Sequence, residues 1–402
     1  MIGAFKCKWW IHATSMGMAR ASAALACGFL LAGCVMQGGA LCKTEPAMTI
    51  KTQGGGSEDI VALPLGDAGG TTRLFIREIC NDSNGPRCKS GQWRVGRVDV
   101  ATGNSPAPTE HAWRPGNDGE DSPFLPLGMS LVPGAEPGSA TLFVVDIAEA
   151  SAVQIWQLRI LDGDIVDAKL ISASDRDSGA TLEGANDLQA VSDGDSFLVY
   201  ITRFDQYGLL PWRTGMWPAL VKMRDGPPLE TFINGLRGAN GVVDPCPDCD
   251  LVIASYWERR LRFISRDGSE DKGFASREFA VRPDNLTLDG ERILVAGQYR
   301  VALTFLNLFV SSWIPSPSAV YAIDVKSLHA GAIPQLLWEG GWRFGRSVAV
   351  AVPVTGSRLA IGQISTPGIL VVDCPARTEL LLHPLRQRIL AGKHPGFGDQ
   401  PQ

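Results

Sequence analysis

"TLFVVDIAEASAVQIWQL", residues 141–158, holds two apolar runs with the alternation of half-buried strands, separated by the short turn "AEAS". It reads as strand, turn, strand. The same build returns in "DLVIASYWERRLRFIS" (250–265), "RILVAGQYRVALTFL" (292–306) and "RLAIGQISTPGILVVD" (358–373). Weaker copies begin at "RLFIRE" (73–78) and "SFLVYITR" (196–203). Copies spaced by roughly 40–70 residues fit the blades of a β-propeller. A β-sandwich would want fewer, more evenly spaced strands. The expected fold is therefore all-β, a six-bladed β-propeller with a central channel.

Composition agrees. Among 402 residues, 45 glycines and 26 prolines are spread along the chain, as short strands joined by turns require. Acidic residues slightly outnumber basic ones, for a net charge of −5, and no basic patch or tail occurs, which argues against a nucleic-acid partner.

The first 34 residues are set apart. "MARASAALACGFLLAGC" (18–34) has a basic start at Arg20, a short apolar core and small residues ahead of a cysteine. That is the form of a secretory signal, too short to span a bilayer stably. Its end, Leu31-Ala32-Gly33-Cys34, is similar to a bacterial lipobox, in which Cys34 would carry lipid; an ordinary signal peptide cut nearby is the alternative. Translation from Met16 or Met18 would suit either. The expectation is an exported protein of the bacterial envelope, membrane-bound through its lipid. Residues 35–50 then form a linker and closing segment, 51–374 the propeller and 375–402 a tail.

In an oxidising compartment the six cysteines after Cys34 are expected to pair. Cys80 and Cys88 flank the turn-rich "NDSNGPR", and Cys246-Pro-Asp-Cys249 suits a local bridge. A zinc or redox role for this CxxC lacks a second CxxC or a His pair. Cys42 and Cys374 remain, at the two ends of the folded region, where a ring must close.

"GGGSEDIVALPL" (54–65) places two adjacent carboxylates, Glu58 and Asp59, where a strand begins. Taken alone this is a solvated turn. Other strand starts carry oxygen ligands too: Asn186-Asp187 in "GANDLQAV", Asn240 in "RGANGVV" and Asp284-Asn285 in "RPDNLTL". Side chains alternate along a strand, so adjacent residues at its start can serve two sites. Carboxylates and amides without His or Cys suit calcium. Glu58 and Asp284 with three amides would make one site, and Asp59 with Asp187 and a backbone carbonyl another.

"GSEDI", "NDLQAV", "GANG" and "DNL", in this order, resemble the calcium-dependent paraoxonase/arylesterase family, propellers related to the gluconolactonases. The resemblance runs from about Cys42 to Cys374 and is clearest in "ANGVVDP…DLVIASYWERRLRFISR" and "GRSVAVAVPVTGSRLAIGQISTPGILVVDC". It implies two calcium ions. The catalytic one would be held by Glu58, Asn186, Asn240, Asp284 and Asn285, and the structural one by Asp59, Asp187 and the backbone carbonyl of Met129. It also implies a closing Cys42–Cys374 disulfide, and a small ester or lactone as substrate.

The chain departs from that pattern where the family carries two channel-mouth histidines. Leu127 and Ile147 fall there, while the five histidines (His12, His111, His329, His383 and His394) lie elsewhere. Arg203-Phe204 replaces the family's acidic pair. Asp284, with Glu58 as second choice, is then the candidate base for activating water. "RFDQYGLLPWRTGMWPAL" (203–220) and "NLFVSSWIPSPSA" (307–319) read as apolar insertions at the channel mouth. The expected function is a calcium-dependent arylesterase or lactonase. The alternative is a calcium-stabilised propeller that binds a small molecule or envelope partner without turnover.

Overall fold

Period-two apolar runs separated by turns leave each strand one partner before it in the chain and one after, so the strands meander. The computed structural model describes residues 40–52, 56–67, 70–79, 93–101, 109–115, 124–149, 152–173, 184–204, 218–224, 230–234, 236–309, 314–330, 332–341, 344–354, 357–364 and 366–375. The signal segment with Cys34, the Cys80–Cys88 loop, residues 205–217 and 310–313 of the two insertions, and the tail from 376 lie outside the described residues.

Six four-stranded antiparallel sheets form an all-β propeller. The first holds β2 (Ile60–Pro64), β3 (Thr72–Ile79), β4 (Trp93–Val100) and β5 (Glu110–Trp113). The second holds β6 (Pro126–Pro133), β7 (Ala140–Glu149), β8 (Ala152–Leu161) and β9 (Asp164–Ala173). The third holds β10 (Ala185–Asp193), β11 (Ser196–Arg203), β12 (Pro218–Arg224) and β13 (Glu230–Asn234). The fourth holds β14 (Ala239–Val243), β15 (Leu251–Ser255), β16 (Arg260–Ile264) and β17 (Asp271–Phe274). The fifth holds β18 (Arg282–Asp289), β19 (Arg292–Gln298), β20 (Ser318–Asp324) and β21 (Gln335–Gly340). In the last, β22 (Val348–Val354), β23 (Arg358–Gln363) and β24 (Ile369–Asp373) are completed by β1 (Met48–Ile50) from the other end of the chain.

The inner strands β2, β6, β10, β14, β18 and β22 each pack on the next, and β22 returns to β2. A buried apolar cluster fills every interface between neighbouring sheets. Phe143, Ile155, Leu188 and Ile201 lie between the second and third, for example, and Ile50, Ile60, Leu74 and Val371 between the last and the first. Burying each such side chain contributes about 1.5–3 kcal/mol.

One expected strand pair is not one. After β19 the run "VALTFLNLF" forms the helix α1 (Val301–Phe309), and β19 pairs with β20 instead. Its two polar residues, Thr304 and Asn307, stand three apart, a helical rather than an alternating spacing, but so short a run is ambiguous between strand and helix. Within the insertion, Asn307 Nδ2 donates to the Ile314 carbonyl at 2.6 Å, and the Thr304 and Ser316 hydroxyls lie 3.0 Å apart.

Two of the expected disulfides are present, Cys246–Cys249 and Cys42–Cys374, the latter spanning 332 positions. Cys42 is buried against Leu337 and Trp338, and its amide donates to the Leu337 carbonyl at 2.6 Å. From there β1 pairs with β24, Ile50 opposite Ile369. A crosslink closing so long a loop contributes up to about 5 kcal/mol in the chain-entropy account. Replacing Cys42 and Cys374 by serine together should therefore lower the urea midpoint of oxidised protein by a large fraction of its value. An unchanged midpoint would show that strand pairing alone closes the ring.

Candidate functional site

The oxygen-bearing pairs singled out in the sequence stand at irregularities of the inner strands. In β10, Ala185 faces Arg203 and Leu188 faces Ile201, so that Asn186 and Asp187 together oppose Thr202 alone. The same two-against-one count holds for Asn240-Gly241 in β14 and for Asp284-Asn285 in β18. It holds for Leu127-Gly128 in β6 as well. A β-bulge re-aims side chains and leaves ladder groups to be satisfied otherwise. Thr202 does this for Asp187: its hydroxyl accepts the Asp187 amide at 3.1 Å and donates to the Asp187 carbonyl at 3.2 Å. In the first sheet Glu58-Asp59 immediately precedes β2, and the Arg77 amide donates to the Asp59 carbonyl.

Neighbouring bulges touch backbone to backbone. A Cβ on Gly128 would stand 2.6 Å from Asp187 Cα, and one on Gly241 would stand 2.5 Å from the Leu286 nitrogen. Each second bulge position is thus either a polar side chain or a glycine that admits its neighbour. Asp59 and Asp187 then reach forward to the next sheet in the same way. Asp59 Oδ2 accepts the Met129 amide, and Asp187 Oδ2 accepts the Val242 amide at 3.1 Å. Their other oxygens accept Ile60 and Leu188 amides, both at 2.8 Å. Met129, whose carbonyl is expected as a calcium ligand, thus meets Asp59 through its N–H.

Four carboxyl groups and three amides stand at these strand starts. Asp59, Asp187, Asn240, Asp284 and Asn285 are all buried, Glu58 and Asn186 partly so. Gln298 Nε2 donates to Asp284 Oδ2 at 2.6 Å and to the Val348 carbonyl at 2.7 Å, and the Asn240 side chain also bonds Asp284. Asn285 Nδ2 donates to the Glu58 carbonyl at 3.0 Å. Glu58 itself pairs with Arg77, whose guanidinium stacks on Trp93. Gln298, Thr202 and Arg77 were not singled out in the sequence. The repeated strand ending "GQ", at Gly297-Gln298 and Gly362-Gln363, was the available signal for Gln298.

Electrostatics sharpen the picture. Burial, then the charge of Glu58, pushes the Asp284 carboxyl up to about 8. Burial does the same for Asp187, also to about 8, with Asp284 adding to it. Burial and then Asp187 raise Asp59 well above its ordinary range. Two buried amide oxygens, Asn240 Oδ1 and Asn285 Oδ1, have no hydrogen-bond partner among the described residues. Among the described residues no three His, Cys, Asp or Glu side chains form a metal cage by themselves. Carboxylates that raise one another's proton affinity, beside orphaned amide oxygens, nevertheless fit a hard divalent cation. Asp59 and Asp187, but not Glu58 or Asp284, also line a cavity of about 330 Å³ toward the opposite channel end, walled by Leu131, Gln189, Leu288 and Pro353. His111 stands on the outer strand β5 and His329 in the 3-10 helix Val325–Ala330 after β20, so neither belongs to an inner strand.

No family model and no curated protein matches the chain. Solved structures with a similar fold include a gluconolactonase from Xanthomonas campestris (16% identity, 81% of this chain and 89% of that one, TM-score 0.47). Another is the calcium-binding protein regucalcin from Agrobacterium tumefaciens (12% identity, 82% and 97%, TM-score 0.39). A third is the WD40 β-propeller domain of Doa1 (10% identity, 84% and 98%, TM-score 0.42).

Below about pH 4 both folded and unfolded chains hold the Asp187 and Asp284 protons. Between there and about pH 8 only the folded chain does, so its stability falls as pH rises through that window. Chelated protein should melt at progressively lower temperature from pH 5 to pH 8, and added calcium should raise the melting point most at the alkaline end. A melting point that climbs with pH under chelation would contradict these raised values. Gly241→Ala should lower stability by about 1–3 kcal/mol in urea, because backbone rather than a movable side chain meets the new methyl.

Proposed function

We infer that this propeller is a calcium-dependent hydrolase of small esters or lactones. The observation that carries the reading is the pair of orphaned amide oxygens, Asn240 Oδ1 and Asn285 Oδ1, buried beside Asp284 and Glu58. Glu58, Asn186, Asn240, Asp284 and Asn285 would hold the catalytic ion, and Asp59 and Asp187, with the Met129 backbone carbonyl, a structural one. When bound, calcium supplies a Lewis acid that polarises a carbonyl oxygen.

The chain's own residues do the rest. Asp284, buried and held by Gln298 and Asn240, is the group placed to take a proton from water and return it to a leaving group. Gln298 and Asn240 fix its orientation. The apolar packing around the bulges keeps bulk water from the acids. The chain is further read as exported and lipid-anchored at Cys34, a reading supported by two disulfides of the kind an oxidising compartment maintains.

A calcium-stabilised binding propeller is the second reading. Two observations favour it: Arg77 already neutralises Glu58, and Leu127 stands at the channel mouth where the resemblance implies a histidine. A panel of lactones and aryl esters, with calcium and under chelation, separates the two. The hydrolase reading expects turnover lost on chelation, and a fall of about 10²–10⁴-fold in kcat/KM for Asp284→Asn in a protein that still folds. Asp187→Asn should chiefly lower the calcium-bound melting temperature. Turnover that survives chelation, or a fully active Asp284→Asn variant, would sink it.

A further inference from the structure

The inner strands run away from the end where Asn240 and Asp284 lie, and their partners run back toward it. The residues that follow β11, the turn between β15 and β16, and the first residue of β18 therefore gather at one channel mouth. Phe204, Tyr256, Trp257 and Arg282 meet there. The Phe204 and Tyr256 rings pack edge-on at 5.4 Å, Tyr256 and Trp257 at 5.1 Å, and Phe204 stacks near Trp257 at 6.4 Å. Gly238 makes the corner possible: its φ is +64°, and a Cβ there would stand 2.5 Å from the Trp257 ring. Phe204 belongs to the Arg203-Phe204 pair that departs from the family pattern.

Arg282 closes this corner. Its guanidinium lies 5.2 Å from the Trp257 ring centroid and 5.7 Å from that of Tyr256. Its only polar contacts among the described residues are long ones, Nη1 to the Tyr256 and Trp257 carbonyls, each 3.4 Å. Arg73, Arg77, Arg94, Arg262, Arg266 and Arg292 each hold a carboxylate, whereas Arg282 holds none among the described residues. Burial lowers its proton affinity, and no carboxylate faces it to offset the cost. The Nε–Nη2 edge, the fork that grips a carboxylate with two bonds, is left over. The Tyr256 hydroxyl feels both Asp284 and Arg282. Arg282 lies two residues before Asp284, an advance of about 7 Å on an extended strand. That matches a benzene ring with a substituent at each end.

We propose that Arg282, with Trp257, Tyr256 and Phe204, forms a subsite for an aromatic carboxylate, so that the preferred ester or lactone carries an anionic group on an apolar body. The ring stacks in the corner, the carboxylate takes the free edge of Arg282, and the reactive carbonyl reaches Asn240 and Asp284. This rests on the hydrolase reading for its chemistry but not for its binding. Calorimetry with benzoate and benzamide, under chelation so that no bound cation supplies the anion site, tests the binding directly. Benzoate should bind about tenfold or more tightly than benzamide. Arg282→Met should erase the advantage, and Arg282→Lys should restore part of it. Equal binding of the two probes, undetectable benzoate binding, or an advantage that survives Arg282→Met would overturn the proposal. Phenyl acetate and 4-carboxyphenyl acetate then separate it from the hydrolase reading. Benzoate selectivity without turnover of either ester leaves the subsite standing and removes the hydrolase. Turnover with no preference for the carboxylate does the reverse.

Discussion

Everything at the channel depends on how closely the inner strands approach one another. Going round the ring, the second position of each strand start is Asp59, Gly128, Asp187, Gly241, Asn285 and Ala349, a polar side chain alternating with glycine or alanine. The alternation is steric before it is chemical. At Gly128 and Gly241 the neighbouring backbone already occupies the place of a Cβ. A ring this tight has room for three polar side chains, and it can hold three acid or amide groups only because small residues stand between them. At Asp187 and Asn285 a bulge supplies the extra residue that re-aims the polar group, whereas Asp59 stands just before β2 begins.

The cost of that closeness is electrostatic. Asp59, Asp187 and Asp284 sit in one another's field with little water, and Arg77 pairs with Glu58 rather than with any of the three. Left alone, such carboxyls retain protons to about pH 8 at Asp187 and Asp284. Protonation and a divalent cation are two ways of relieving the same repulsion, so a metal binding at this centre would have to displace protons. The backbone amides of Met129 and Val242 anchor the lower acids whichever occupies it.

Much of this was legible in the sequence, for a physical reason. A meander places consecutive strands side by side, so the repeat of strand pairs and the recurrence of oxygen ligands at strand starts are local patterns. What escaped reading are side-chain contacts that no local pattern marks. Gln298 reaches back to Asp284 in its own sheet and on to the next sheet's Val348, Arg77 reaches Glu58 just before its own sheet begins, and Phe204 meets Trp257 across an interface. The helix α1 escaped for another reason, since in a run of nine residues the single Thr304–Asn307 spacing is too little to separate helix from strand. Cys42–Cys374 was the exception among distant contacts, because a ring has one seam and two cysteines flank it.

That seam has a consequence for how the molecule is made. The last sheet cannot be completed from its own stretch of chain, because its outer strand, β1, is synthesised before any of its partners. Until β24 emerges more than three hundred residues later, Met48–Ile50 has no edge to join, and until β1 returns, β24 presents an unpaired edge. Five sheets can assemble in order as the chain appears, each on the one before. The ring of acids is drawn together only at the final step, when β22 meets β2. A nascent chain thus holds its repelling carboxylates apart until the whole scaffold exists to confine them, and truncation anywhere before Asp373 leaves an open arc with a hungry edge rather than a smaller working ring.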